Sequence, residues 1–496
     1  MKVLFLVVFI VVMIGVGLYS KTKIKNSNDF FLGGRNMGGW ITAFAYGTSY
    51  FSAVIFIGYA GGLGWKYGVS TTWIGIGNAI FGCFLAWKLL AKKTREMTHK
   101  LEARTMPEFF EKRYQSKNMK FMSAIIIFVF LVPYTASVYK GLGYIFESSF
   151  GISFNAAIFF MALLTAVYLI LGGYVATAIN DLIQGVIMLV GSMLMVYYVV
   201  TNPAVGGIVE GVRRLGELDP TLSMPFSSSE KALNLFGLVF LTSFGVWGLP
   251  QMIHKYYAIK DEAAIKKGTI ISTVFALVIG VSAYFSGCLG RLFFIQNGEA
   301  VIPAGNPDMI IPVMLEKALP AALMGVIIVL ILSASMSTLA SLVLISSSTI
   351  SIDFIKGFIA PQISEKKMML TMRGFCVLFV ALSYVMAVFQ NNTIVYLMSL
   401  SWGIIAGMFL GPYLFGLWWK KTTKAGAWAG FVAGGGIIVG YLIFEKLGLM
   451  SIDMPVVSSA AMIASCIVVP LVSLVSTQMS KAHIEAVFGK TEEVNA

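Results

Sequence analysis

Two stretches place small polar residues where uninterrupted apolar helix would be simpler. The first is Ala45-Tyr-Gly-Thr-Ser-Tyr-Phe-Ser-Ala53, in which Gly47 precedes Thr48, Ser49, Tyr50 and Ser52. Glycine weakens the helical ladder and hydroxyls compete for its carbonyls, so this is a candidate unwound helix. Unwinding exposes carbonyl oxygens, the ligands that a hard cation such as sodium prefers. The competing reading is close helix packing, which glycine and serine also serve. The second stretch is Ser333-Ala-Ser-Met-Ser-Thr338, followed by Ser341 and Ser346-Ser-Ser-Thr349. On a helix, the hydroxyls of Ser337 and Thr338 and the carbonyl of Ala334 can converge on one point of the surface. That is half a coordination sphere, and the first stretch can supply the other half.

Asp181 stands alone as an acidic residue well inside an apolar stretch. An intramembrane carboxylate is expensive and points to function, while the bland alternative is an N-cap for a helix starting near Ala176 and Thr177. Lys140, towards the end of another stretch, either snorkels to the headgroups or faces inward to meet an anionic solute. Pro133 with Tyr134, and Gly245-Val-Trp-Gly-Leu-Pro250, mark two further interruptions. Tyr134 and Trp247 offer aromatic walls for a small pocket, or ordinary interhelical packing.

These residues need long helices to hold them. Apolar stretches predict spans near 3-20, 39-60, 69-90, 121-147, 154-174, 177-200, 233-253, 268-290, 319-350, 369-390, 394-418, 425-444 and 455-477, about 13 in all. The ninth includes a non-spanning piece from about Pro312. The stretch from Val3 to Tyr19 lacks an A-x-A-like exit and is read as a retained first helix. Of 36 Lys and Arg, 27 fall in loops 20-38, 88-120, 254-268, 353-373, 420-424 and the tail after 478; eight fall in the opposite loops, and Lys140 lies within a span. The positive-inside rule then predicts a multi-pass protein of the plasma membrane, N-terminus outside and C-terminus cytoplasmic.

Composition agrees. With 58% hydrophobic and 12% charged residues, the chain is an all-α polytopic membrane protein. The net charge of +13 belongs to basic loops, not to a nucleic-acid surface. Cys83, Cys288, Cys376 and Cys466 form no close-spaced pair, and three histidines lie in or beside basic loops, so neither a disulfide framework nor a Cys/His metal centre is expected. No polar stretch is long enough for a catalytic or signalling domain.

In order along the chain, Phe30-Phe-Leu-Gly-Gly-Arg-Asn-Met-Gly-Gly39, Asn180-Asp-Leu-Ile-Gln-Gly185, Gly248-Leu-Pro250, Met336-Ser-Thr338 and Gly416-Leu-Trp-Trp-Lys-Lys-Thr-Thr-Lys-Ala-Gly-Ala427 resemble the sodium:solute symporter family, over about residues 28 to 440. Phe431 and Tyr174 depart from family signatures without touching ion or solute chemistry. The wording is similar to the sodium/pantothenate and sodium/proline branches. The resemblance implies a five-plus-five inverted-repeat core with broken helices: repeat one at 39-200, outer loop 201-232, repeat two at 233-418, accessory helices at 3-20 and 425-477, and a cytoplasmic tail at 478-496. It also implies sodium ligands: the carbonyls of Thr48, Phe51 and Ala334 and the hydroxyls of Ser337 and Thr338. The solute site it implies lies around Ser49, Tyr50, Ser52, Tyr134 and Trp247. Lys140 is added to the solute site and Asp181 to ion release from the residues themselves. Leu339 and Ala340 replace much of the family's second sodium site, so one sodium per cycle is expected.

The expected function is sodium-coupled import of a small polar solute, a carboxylate such as pantothenate or an amino acid such as proline, by a monomer in membrane lipid. Its rivals are a proton-coupled symporter titrating at Lys140 or Asp181, a transporter-like sensor, and an intramembrane enzyme. No His/Asp/Glu cluster supports the last.

Overall fold

The computed structural model describes residues 2–21, 27–226, 229–389 and 391–489. Lys23 and Lys25 of the first basic loop and residues 490–496 of the expected tail lie outside the described residues. The long apolar runs fold as helices that satisfy their own backbone, as a lipid environment demands. In chain order the principal ones are α1 (Lys2–Lys21), α2 (Gly39–Tyr50), α3 (Val54–Leu63), α4 (Lys117–Phe150), α5 (Phe154–Thr201), α6 (Ser229–Gly245), α7 (Pro250–Ala258), α8 (Glu262–Cys288), α9 (Ala321–Thr349), α10 (Glu365–Phe389), α11 (Ile394–Trp418), α12 (Lys424–Lys446) and α13 (Met454–Val475). Among the described residues the one sheet is a small antiparallel hairpin pairing Ile295 with Ala300 and Gln296 with Glu299.

Among the described residues, 11 helices are long and apolar enough to cross a membrane, against the thirteen expected. Hydropathy cannot see a two-residue break. The expected span 39-60 parts at Phe51 and Ser52, leaving α2 with 12 residues, about 18 Å of helix against a hydrocarbon core of about 30 Å. The second half, α3, continues as helix to Tyr67, where Gly68 (φ 59°, ψ −138°) turns the chain into the helical segments that reach Lys100, so this 47-residue stretch holds two of the expected spans. The expected span 154-174 is the front of α5, whose apolar part Phe154–Val167 is short. There Gly173 turns the chain with φ 49° and ψ −147°, a conformation that glycine adopts without steric penalty. A Cβ at Gly173 would also lie 2.7 Å from Phe30.

The helix α9 is the hub. Its apolar residues are almost all buried, and it carries Ser333, Ser335, Ser337, Thr338 and Ser341, all buried. A helix enclosed all round must find partners for its polar atoms inside the protein. The outer helices do the reverse: Val8 and Val11 on α1, Leu277 on α8, and Leu370 and Val385 on α10 are exposed apolar residues suited to lipid. A separate helix, Ile310–Ala318, precedes α9.

Loops expected on the basic face meet one another. Arg95 donates to the carbonyls of Ile259 and Lys260, and Arg113 to Gly416, Trp419 and Thr422. Lys120 pairs with Glu111 at 2.8 Å and approaches buried Asp353 at 3.8 Å, while Thr105 donates to Asp353 over 2.8 Å. These contacts tie the short helix Met106–Tyr114 to the ends of α4 and α9. On the opposite face, Lys66 pairs with Asp453, and Arg291 donates to the carbonyl of Trp65. One basic residue was misplaced: the expected loop 254-268 begins later, because Pro250 opens α7 and its helix carries His254 and Lys255 inside, the latter 1% exposed.

Candidate functional site

The last carbonyls of any helix lack intrahelical donors. In α2 the chain leaves the helix at Phe51 (φ −99°, ψ 90°), whose N–H still donates to Gly47. Ser52 then starts α3: its Oγ accepts from Val54 N over 3.2 Å, and its carbonyl accepts from Ile55 N. The freed carbonyls find α9. Ser337 Oγ donates to Thr48 O over 2.7 Å, and Thr338 Oγ1 lies 3.3 Å from Thr48 O, 3.3 Å from Ser49 O and 3.1 Å from Ala334 O. Four of the five expected sodium ligands therefore gather at one point. Phe51 marks the end of the helix, and the carbonyl of Ser49, absent from the expected set, joins the group. Thr48 spends its own hydroxyl on Phe44 O, so its carbonyl is what faces α9.

Every atom of this cluster is a neutral oxygen of a buried residue. Among the described residues no three His, Cys, Asp or Glu side chains gather as a metal site. Neutral oxygens suit a monovalent hard ion better than a transition metal.

Asp181 is fully buried. It cannot be an N-cap, because α5 runs unbroken past the Gly173 turn and places Asp181 eight residues into the following segment. Gly185, one turn on, lies so close to α2 that a Cβ would be 3.1 Å from Thr48 Cγ2. The carboxylate faces Lys255 Nζ at 3.6 Å. Lys255 donates to Ser341 Oγ over 3.0 Å, and Ser341 Oγ meets Ser49 Oγ at 2.9 Å. A buried chain of polar groups thus leads from the break in α2 to Asp181.

On the other side of the break, Tyr50 donates to Thr242 O over 2.5 Å. Its ring and that of Tyr134 both flank Trp402, at centroid distances of 6.4 and 5.7 Å. Trp402 packs against Gly245 at the end of α6, and its buried Nε1 has no hydrogen-bond acceptor among the described residues. Trp247 points its N–H at Phe81 O over 3.0 Å and its ring at Phe244. Lys140 is 4% exposed and faces protein: its ammonium donates to Asn392 O over 2.6 Å, with Asp308 as a charged neighbour.

The family model described as "Sodium:solute symporter family" matches residues 30–434. The chain belongs to the sodium:solute symporter family. This symporter-family member is 30% identical over 453 residues to the sodium/proline symporter of Staphylococcus aureus (strain JH9), covering 88% of this chain and 85% of that one. It is 27% identical over 495 residues to the osmoregulated proline transporter OpuE of Bacillus subtilis (strain 168), covering 98% and 97%. Its fold matches that of a Na+-coupled sialic acid symporter in a substrate-bound outward-open state, with TM-score 0.79 at 17% identity over 97% of this chain and 99% of that one. It also resembles Mhp1, a nucleobase-cation-symport-1 family transporter, with TM-score 0.53 at 15% identity over 93% and 99%. The fold is the expected all-α polytopic transporter core with broken helices. The protein is a transporter and not an enzyme, and the family's coupling ion is sodium.

Two side chains escaped the sequence reading. Lys255 looked like a loop cation, although Pro250 at a helix start was the signal that the next turns are helical. Trp402, in Ser399-Leu-Ser-Trp-Gly403, carried the same serine and glycine signature as the broken stretches, although α11 is unbroken there.

Proposed function

We propose that this symporter imports a small carboxylate-bearing solute, an amino acid such as proline or a compound such as pantothenate, with one sodium ion per cycle. The observation that carries this reading is the meeting of Thr48 O, Ser49 O and Ala334 O with the hydroxyls of Ser337 and Thr338. An ion at that point would bridge a broken helix to the hub helix, so its binding energy is available to favour one arrangement of the two over another. The solute would lie against Ser49, Tyr50, Ser52 and Tyr134, with Trp402 between the two tyrosines and Trp247 at the margin. Aromatic faces accept an ammonium or a pyrrolidine ring, and a nearby helix start accepts a carboxylate. Two relatives named for proline transport support an amino-acid solute.

Asp181 would meet sodium on its way out, and Lys140 would stand at the access side and favour anionic groups. The inverted repeats would occupy 39-200 and 233-418, and the basic face would be cytoplasmic by the positive-inside rule, with the protein acting as a monomer in lipid. Thermal-shift titration of purified protein with proline and pantothenate, each with and without sodium, tests the solute. A sodium-dependent rise in unfolding temperature with one of them is expected; a rise indifferent to sodium would contradict the reading.

A further inference from the structure

We propose that Lys255 is a coupling residue of the sodium step, a tethered cation that competes with the ion for the oxygens beside the site and takes its place when the ion leaves past Asp181. This rests on the sodium reading above. Position is the first support. Ser341, which accepts from Lys255 over 3.0 Å, lies one helical turn along α9 from Ser337 and Thr338. Ser49 touches both groups, its hydroxyl meeting Ser341 and its carbonyl Thr338. Two hydrogen bonds therefore connect the ammonium to Ser49, whose carbonyl is one of the ion's oxygens.

Incomplete pairing is the second. Lys255 and Asp181 are 1% and 0% exposed, yet 3.6 Å separates them, long for a charge-assisted hydrogen bond. Among the described residues neither carboxylate oxygen of Asp181 has a hydrogen-bond donor within 3.5 Å, Lys255 and the Thr48 hydroxyl being its polar neighbours. Buried carboxylates are normally satisfied, and one left with free lone pairs is where another cation can bind. Connectivity is the third. Lys255 sits on α7, just past the break that follows α6, while its partners sit on α5 and α9, and Ser341 reaches α2. Any movement of α7 against α5 and α9 withdraws or restores this charge, which links the second broken helix to the ion held by the first. A fixed positive charge about one turn from the site opposes sodium through a low-dielectric medium, and Asp181 offsets that opposition.

The two charges should then act on sodium with opposite signs. Purified full-length wild type, Lys255→Met, Lys255→Arg, Asp181→Asn and the double variant Lys255→Met/Asp181→Asn are titrated with sodium chloride against choline chloride, following the unfolding temperature. Lys255→Met should lower the half-saturating sodium concentration roughly tenfold and Asp181→Asn should raise it roughly tenfold. The double variant should return to within about threefold of wild type, and Lys255→Arg should stay near it. Absence of any sodium response in wild type would overturn the sodium reading itself. A normal wild-type response with Lys255→Met titrating like wild type, or more weakly, would overturn the role of Lys255 alone. Should Lys255→Met not fold, the double variant decides: sodium binding no tighter than in Asp181→Asn would overturn the proposal.

Discussion

Ser337 Oγ donates to the carbonyl oxygen of Thr48 over 2.7 Å, joining residues 289 positions apart. That contact exists because α2 stops at Phe51 and leaves carbonyls that only another element can satisfy.

Removing either hydroxyl should therefore weaken sodium coupling more than folding. Ser337→Ala and Thr338→Ala are each expected to raise the sodium concentration for half-maximal uptake by roughly tenfold, about the 1–2 kcal/mol of one polar ligand, at near-normal protein abundance. Unchanged sodium dependence in both would remove these hydroxyls from the site.

The two broken stretches were legible because Gly, Ser and Thr inside apolar helix are locally costly and ask for an explanation. What they contact was not legible. Periodicity put Ser337 and Thr338 on one surface of α9, but the approach of Ser49 O depends on how α2 leans. Lys255 was misread because a basic residue beside a predicted span end has an ordinary reading as a loop cation, and only the packing of α5 against α7 brings Asp181 to it. Among the described residues the long helices number eleven and not thirteen because the stretch from Val54 to Lys100, which turns at Gly68, carries two expected spans, and the apolar helix before the Gly173 turn is short.

Trp402 stands between Tyr50 and Tyr134, so Trp402→Ala should lower apparent solute affinity about tenfold, in line with 1–2 kcal/mol for an aromatic contact, and leave sodium binding without solute unchanged. Trp247→Phe loses only the bond to Phe81 O and should affect stability before affinity. Equilibrium solute binding to the two variants separates the roles, and equal losses of affinity would refute the distinction.

Lys140 has its ammonium on Asn392 O, with Asp308 nearby. If it favours anionic groups at the access side, Lys140→Met should raise the KM for a carboxylate solute severalfold and spare sodium affinity, while Lys140→Arg keeps part of the activity. Uptake kinetics with full activity in the methionine variant would return this lysine to a holding role.

Asp308 is 2% exposed and accepts from Ile394 N over 3.2 Å. Burial pushes its carboxyl up to about 6 from 3.8, against the pull of that N–H and of Lys140. Between those two values the folded protein holds the proton more than the unfolded chain does. Stability therefore falls as pH rises through about 4 to 6 and the loss is complete above it, on the order of 1–3 kcal/mol. Unfolding temperatures should be higher at pH 5 than at pH 7, and Asp308→Asn should flatten that part of the difference. An identical pH profile in the variant would show that Asp308 does not set it.

The most direct test is solute accumulation by the purified protein in sealed liposomes, driven by an imposed inward sodium gradient or, separately, by an imposed inward proton gradient in sodium-free buffer. Sodium coupling through Thr48, Ser337 and Thr338 predicts accumulation of labelled proline or pantothenate above equilibrium with the sodium gradient, sharply reduced in Ser337→Ala, and none with protons alone. Accumulation driven by the proton gradient without sodium would contradict it.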